Sequence, residues 1–326
     1  MCRTRSGSRS ARRTRGHCPT RSARSSELSM ITPTPDAARS SGRMVGMEDP
    51  EQLLKRILEF AADDPGIRAV IQTGSRARGT RIDEFSDLDL EFIGPGAKAL
   101  AGDDAWAERI APVLVGIHLA NDEEDEPDWP TYLVVFAEGR KVDFTLADTA
   151  RLTELRDELD ELYERGYRVL LDKDGLAAGL PAASGRPRAE PPTAAEFETN
   201  QREFWFEATQ VPIYAARGDL WHAQLRVAEL RELLLTMLEW QTAATSSGQI
   251  DTWHAGHHVD EWVAAPLRDR TPAYFPAYQA DSIVDAVRAM ATTYAAATAE
   301  AAEVLGHTDL RLRDRVLAHI DRIGSD

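Results

Sequence analysis

Three acidic residues and one glycine-serine pair carry the chemistry of which this sequence is capable. Eleven residues separate Gly74-Ser75 from Asp87-Leu88-Asp89-Leu90, and Asp143 stands further on between Val142 and Phe144. Along an extended strand alternate side chains share a face, so Asp87 and Asp89 project together about 7 Å apart while Leu88 and Leu90 turn toward a core. Two carboxylates so spaced can converge on one hard cation, and Asp143 repeats the pattern of an acid protruding between apolar neighbours. Three such groups on adjacent strands repel one another severely without a metal, whereas bound magnesium turns that repulsion into the reason for the site. Gly74 lets backbone amides approach a phosphate closely, and the Ser75 hydroxyl can donate to a terminal phosphate oxygen. In-line attack of an acceptor hydroxyl on an α-phosphorus needs these parts: a polarised phosphate, an activated hydroxyl and pyrophosphate held as leaving group.

The elements that must position these residues follow from periodicity. A first helix is predicted over 48–62, with Leu53, Leu54, Ile57, Leu58 and Phe60 at helical spacing and Asp63-Asp64-Pro65-Gly66 closing it. Strands are predicted over 67–73, 86–93, 113–119, 131–137 and 140–146, with a polar loop over 74–85 and a tight turn at Glu138-Gly139. A helix over 148–165 and a strand over 167–171 complete an α/β (α+β) unit with a mixed sheet. Residues 172–192 are rich in Gly, Pro and Ala, which places a linker at 181–192. Beyond it, Thr193 with Glu196 forms a capping-box signal, followed by a stripe of Phe197, Phe204, Trp205, Ala208 and Val211. Further helices are expected from Asp219 and over 282–305 and 309–323, an all-α bundle without solenoid repeats. The expected organisation is therefore a basic leader at 1–46, an α/β domain at 47–180, a linker at 181–192 and a helical-bundle domain at 193–326.

A lone pair of strand acids also suits a solvated edge strand. The whole combination is rarer: strand, Gly-Ser, polar loop, acid-apolar-acid strand and a third strand acid. In it the sequence resembles the polymerase-beta-like nucleotidyltransferases. The likeness goes further, because Gly74-Ser75-Arg76, Asp83 and Phe85-Ser86-Asp87-Leu88-Asp89 resemble the loop of the aminoglycoside 6-adenylyltransferases. Residues 139–146 (GRKVDFTL) are similar to that family's third-acid strand and 169–174 (VLLDKD) to a further block. Pro192-Thr193-Ala194, Glu203-Phe204-Trp205 and residues 233–240 are similar to the opening of its helical domain, so the likeness spans roughly 47–305. It implies adenylation of the 6-hydroxyl of streptomycin with ATP and magnesium, and so antibiotic resistance. Carried over, Ser75 and Arg76 would touch the triphosphate, Asp87 and Asp89 would hold metal, and Asp143 would be ligand or base. Apart from the resemblance, Gly74 allows the close phosphate approach, and Arg78 and Arg81, as arginines of the same loop, could clamp phosphates or equally point to solvent. Two departures stand out: the loop between Ser75 and Asp87 is about one residue shorter than in that family, and Leu88 replaces a common aromatic. A lincosamide or another hydroxylated metabolite as acceptor, and a non-catalytic drug binder, remain as alternatives.

Charge is distributed unevenly. Residues 1–43 hold ten Arg against Glu27 and Asp36, a net of +8, which leaves −24 for the rest of a chain whose total is −16. An acidic body repels phosphate backbones and attracts cations, which argues against nucleic acid and suits a cationic aminoglycoside. No apolar run approaches membrane-spanning length. Cys2 and Cys18 both lie in the leader, so the body has no thiol chemistry, and a cytoplasmic location is expected. A guanidinium-bearing acceptor needs carboxylates and aromatic faces. The acidic run 121–128 with Trp129, and the helix bearing Glu198, Glu203, Trp205 and Glu207, offer both; Glu203, Glu207 and Trp205 are the acceptor candidates. His254, His257 and His258 lack supporting ligands for zinc, and Gly94-Pro95-Gly96-Ala97-Lys98 lacks the ending of a phosphate loop.

Overall fold

The computed structural model describes residues 47–119, 129–186, 190–253 and 255–323. The first helix, α1 (Pro50–Asp63), starts where Asp49 accepts a hydrogen bond from the Glu51 amide and Pro50 presets the first turn. It buries Leu53, Leu54, Ile57, Phe60 and Ala61. Six strands follow: β1 (Ala69–Gln72), β2 (Leu88–Ile93), β3 (Val113–Leu119), β4 (Thr131–Phe136), β5 (Lys141–Ala147) and β6 (Arg168–Asp172). They form one mixed sheet in the order β3-β4-β5-β2-β1-β6. β2 and β5 run parallel; the other neighbouring pairs are antiparallel.

Alternation gives the sheet two different faces. Leu88, Leu90, Phe92, Val142, Phe144 and Leu146 join α1 and Trp106 in one apolar cluster. On the opposite face a smaller cluster of Ile71, Ile93, Ala147, Leu152, Leu155 and Tyr163 covers only one end of the strands. The acids of β2 and β5 occupy the other end of that second face.

Two departures from the sequence expectation concern helices. The stretch expected as a polar loop opens with a five-residue helix, α2 (Gly74–Arg78), which ends at Gly79 in the left-handed conformation with its amide bonded to the Ser75 carbonyl. After α3 (Ala105–Glu108), the single helix expected over 148–165 is two, α4 (Ala150–Asp157) and α5 (Glu161–Arg165). Asp160 causes the break: it caps the Tyr163 amide at 2.9 Å and pairs with Arg151 from the previous helix.

The rest of the chain is helical: α6 (Ala194–Ala216), α7 (Leu220–Thr245), the single turns α8 (Val259–Trp262) and α9 (Ala265–Arg268), then α10 (Ala280–Leu305) and α11 (Arg313–Ile323). The capping box at the start of α6 forms as expected, with Thr193 and Glu196 satisfying each other's amides. Phe197, Phe204, Trp205, Leu234, Met237, Met290 and Tyr294 centre the core of this region. α11 begins later than the expected 309 because Arg311 takes a left-handed backbone, φ 50°, which interrupts any earlier turn. Among the described residues no helix is long and apolar enough to cross a membrane.

Candidate active site

Strand register brings the three acids together. Asp89 lies directly opposite Asp143 across the parallel β2–β5 pair, and Asp87 enters two residues earlier on the same face. Oxygens of all three carboxylates lie within 4.8 Å of one another, and no other such group of potential metal ligands occurs among the described residues. The intervening Leu88 and Leu90 are buried, as alternation requires.

A lysine absent from the sequence expectation completes the cluster. Lys141 Nζ donates to Asp87 at 3.0 Å and to Asp143 at 2.8 Å. It lies two residues before Asp143 on β5, so the same alternation that groups the acids puts it on their face. Burial works to lower its pKa, but its hydrogen bonds and charge pairing with Asp143 and Asp87 raise it overall.

One ammonium does not balance three carboxylates. Burial first, and then the neighbouring Asp87 and Asp143, push Asp89 up to about 7. Asp143 is also raised, chiefly by burial, against the pull of Lys141. Two residues along β2, on the same face, buried Glu91 has direct partners: it accepts from Tyr163 Oη at 2.5 Å and pairs with Arg151 at 3.3 Å. By contrast the three clustered carboxylates share a single ammonium, Lys141, which reaches Asp143 and Asp87. Hard oxygen donors and an excess of negative charge fit a divalent cation held by Asp87, Asp89 and Asp143.

Gly74 sits where only glycine fits. Its φ is 71°, and a Cβ there would lie 1.8 Å from Oδ2 of Asp89. The Ser75 hydroxyl has no hydrogen-bond partner among the described residues. Arg76 braces the segment that delivers Asp87: Nε and Nη2 donate to the carbonyls of Ser86 and Asp87 at 3.1–3.4 Å. Arg140, 3% exposed, reinforces the brace by donating to the carbonyls of Glu48, Glu84 and Ser86 at 2.8–3.2 Å. Arg140→Ala removes the side-chain donor from the Glu48 and Glu84 carbonyls and leaves Ser86 to Arg76 alone, and a loss of about 2–4 kcal/mol is expected in urea unfolding. An unchanged unfolding midpoint would contradict the brace.

Arg78 makes no hydrogen bond or ion pair among the described residues. Its guanidinium lies 4.6 Å from the ring centre of Trp253 and is close enough to Asp89 to oppose slightly the rise in that acid's pKa.

The acceptor candidates on α6 fare differently. Trp205 is corrected: it is 4% exposed and packs edge-on against Phe204 and Tyr294, because it belongs to the apolar stripe that builds the helical core. Glu207 pairs with Arg226, and Glu203 is half-buried one turn earlier. The helical-region side chains found beside the Gly74–Arg81 segment are instead Trp253 and Glu261, with Asp251 behind them. The acidic run 121–128 and His254 lie outside the described residues; His258 pairs with Glu261.

A family model described as Streptomycin adenylyltransferase matches residues 47–323, both sheet and helical regions, so the chain is a nucleotidyltransferase. It belongs to the streptomycin adenylyltransferase family. The aminoglycoside 6-adenylyltransferase of Bacillus subtilis (strain 168) is 29% identical over 205 residues, 61% of this chain and 70% of that protein. Among solved structures, an aminoglycoside 6-adenyltransferase from Bacillus subtilis aligns with a TM-score of 0.43 and 19% identity, over 86% of this chain and 100% of that one. A nucleotidyltransferase-like protein from Exiguobacterium sibiricum 255-15 aligns with a TM-score of 0.31 and 10% identity, over 78% of each chain.

Proposed function

We propose that this enzyme transfers AMP from ATP to the 6-hydroxyl of streptomycin and so confers resistance to it in the cytoplasm. The convergence of Asp87, Asp89 and Asp143 beside Gly74 carries this reading, and the family supplies the acceptor class. In the reaction the acceptor oxygen attacks the α-phosphorus, the bond to the β-phosphate oxygen breaks and pyrophosphate leaves. Magnesium, when held by the three carboxylates, supplies charge neutralisation at the attacked phosphate.

The chain's own residues divide the remaining work. Gly74 allows the chain to pass close over Asp89, the Ser75 hydroxyl donates to a phosphate oxygen, and Arg78 offers unpaired guanidinium donors to the phosphates. Arg76 contributes to nucleotide binding by holding the Asp87 segment in place. Asp143, facing Asp89 across the parallel strand pair, takes the hydroxyl proton or serves as a ligand. Glu203 and Glu207 remain the acidic candidates for the cationic acceptor. Residues 47–180 constitute the nucleotidyl-transfer domain and 193–326 the helical domain, joined through 181–192.

The test is incubation with ATP, magnesium and a drug panel, followed by mass spectrometry. Streptomycin is expected to gain the mass of one AMP unit with release of pyrophosphate. Modification of a lincosamide in its place, or magnesium-independent drug binding with no pyrophosphate, would overturn the reading.

A further inference from the structure

Resting on the proposed nucleotide chemistry, we propose that Trp253 and Asp251 are positioning residues for the nucleotide. They hold the Arg78 guanidinium beside the acid cluster, where it meets the polyphosphate of the bound nucleoside triphosphate.

Three guanidiniums surround the Trp253 indole, with Arg78 at 4.6 Å, Arg165 at 5.2 Å and Arg81 at 5.5 Å from the ring centre. Like charges gathered on one ring repel one another unless each finds an anion. Two do. Arg165 donates Nε and Nη2 to Asp251 at 2.9 and 3.0 Å, and Arg81 pairs with Glu261 at 2.5 Å. Arg78 has the aromatic face and no hydrogen-bonded carboxylate among the described residues. It therefore presents unused N–H donors next to Asp89, with through-space attraction to Asp89 and Asp251 but no direct ion pair, and a polyphosphate can take those donors.

The ring is fixed for this purpose from behind. Asp251 accepts the Trp253 amide at 2.9 Å while gripping Arg165, and Trp253 itself takes φ 57°, a conformation disfavoured for a bulky side chain. The Arg78 stem is confined on its other side by Gly166, where a Cβ would stand 3.1 Å from Arg78 Cγ. Stacking constrains the plane of a guanidinium without consuming its N–H donors, so the indole can orient Arg78 and leave it free to bind.

The experiment measures binding of α,β-methylene-ATP with magnesium to the full chain by calorimetry, without acceptor. Trp253→Leu is expected to weaken binding about tenfold, and Trp253→Phe, which restores a ring face, to come within about threefold of wild type. In an Arg78→Gln background, Trp253→Leu should add no further loss, because the group it orients has gone. KM for streptomycin should stay unchanged in Trp253→Leu while KM for ATP rises. Wild-type affinity in Trp253→Leu, an equal loss in the Arg78→Gln background, or a phenylalanine variant no better than leucine would overturn the proposal alone. A wild-type protein that binds no nucleotide would overturn the reading of function and this proposal with it.

Discussion

Asp89→Asn is expected to lower AMP transfer by about a thousandfold or more and, in the same protein, to raise the stability of the metal-free fold. Both effects come from one carboxylate. Asp89 is held among Asp87 and Asp143 with a pKa near 7, set first by burial and then by those two neighbours, against an ordinary value of 3.8. A carboxyl whose folded pKa is raised binds its proton more tightly folded than unfolded. Its contribution to stability is therefore complete below pH about 4, declines as pH rises through the window to about 7, and is gone above it. Asparagine carries no charge at any pH and escapes this loss. With EDTA present, the variant should be more stable than wild type by roughly 2–4 kcal/mol at pH 8, with the gap closing toward pH 4. Magnesium should raise the melting temperature of wild type and hardly that of the variant. Near wild-type turnover in Asp89→Asn would remove the metal-site assignment; a stability gap independent of pH would remove the electrostatic account of Asp89.

The facing of each acid was legible in the sequence because it depends on local order alone, while their meeting depends on the β2–β5 register. Alternation along one strand groups Asp87 with Asp89, and an acid between Val142 and Phe144 declares its face without knowledge of any partner strand. Lys141 obeys the same alternation, yet its role emerges only from the parallel register that sets Asp89 against Asp143. The short α2 was missed for a physical reason: five residues are too few to display a helical period, and the stretch is punctuated by Gly74 and Gly79. Trp205 was misread because a tryptophan on a long amphipathic helix and one on a binding face look alike in sequence. Trp253 was passed over because its partners, Arg78, Arg81 and Arg165, lie far away along the chain, and only tertiary structure joins them. Arg76 shows the same limit, since the carbonyls it braces, those of Ser86 and Asp87, are joined to it only by tertiary structure.

Gly74→Ala is the second substitution expected to be severe, and a control at the residue that caps the same short helix isolates its cause. Gly74 and Gly79 share a left-handed backbone, φ 71° and 70°, so alanine at either position incurs about 1 kcal/mol of conformational strain. Their surroundings differ. A methyl at position 79 meets nothing within 4 Å, whereas at position 74 it would stand 1.8 Å from Oδ2 and 2.6 Å from Cγ of Asp89. The Asp89 carboxylate must then rotate away from Asp143, or α2 must lift from β2 and break the 3.0 Å bond between the Thr73 amide and the Asp89 carbonyl. Either adjustment disperses the acids. AMP transfer in Gly74→Ala should fall at least about a hundredfold, a scale expected when catalytic groups shift by about 1 Å, and stabilisation by magnesium should be lost. Gly79→Ala should lose similar intrinsic stability while keeping most of its turnover and its response to magnesium. Equal loss of activity in the two variants would mean that backbone strain alone accounts for the effect, and that the close approach of Gly74 to Asp89 has no part in assembling the site.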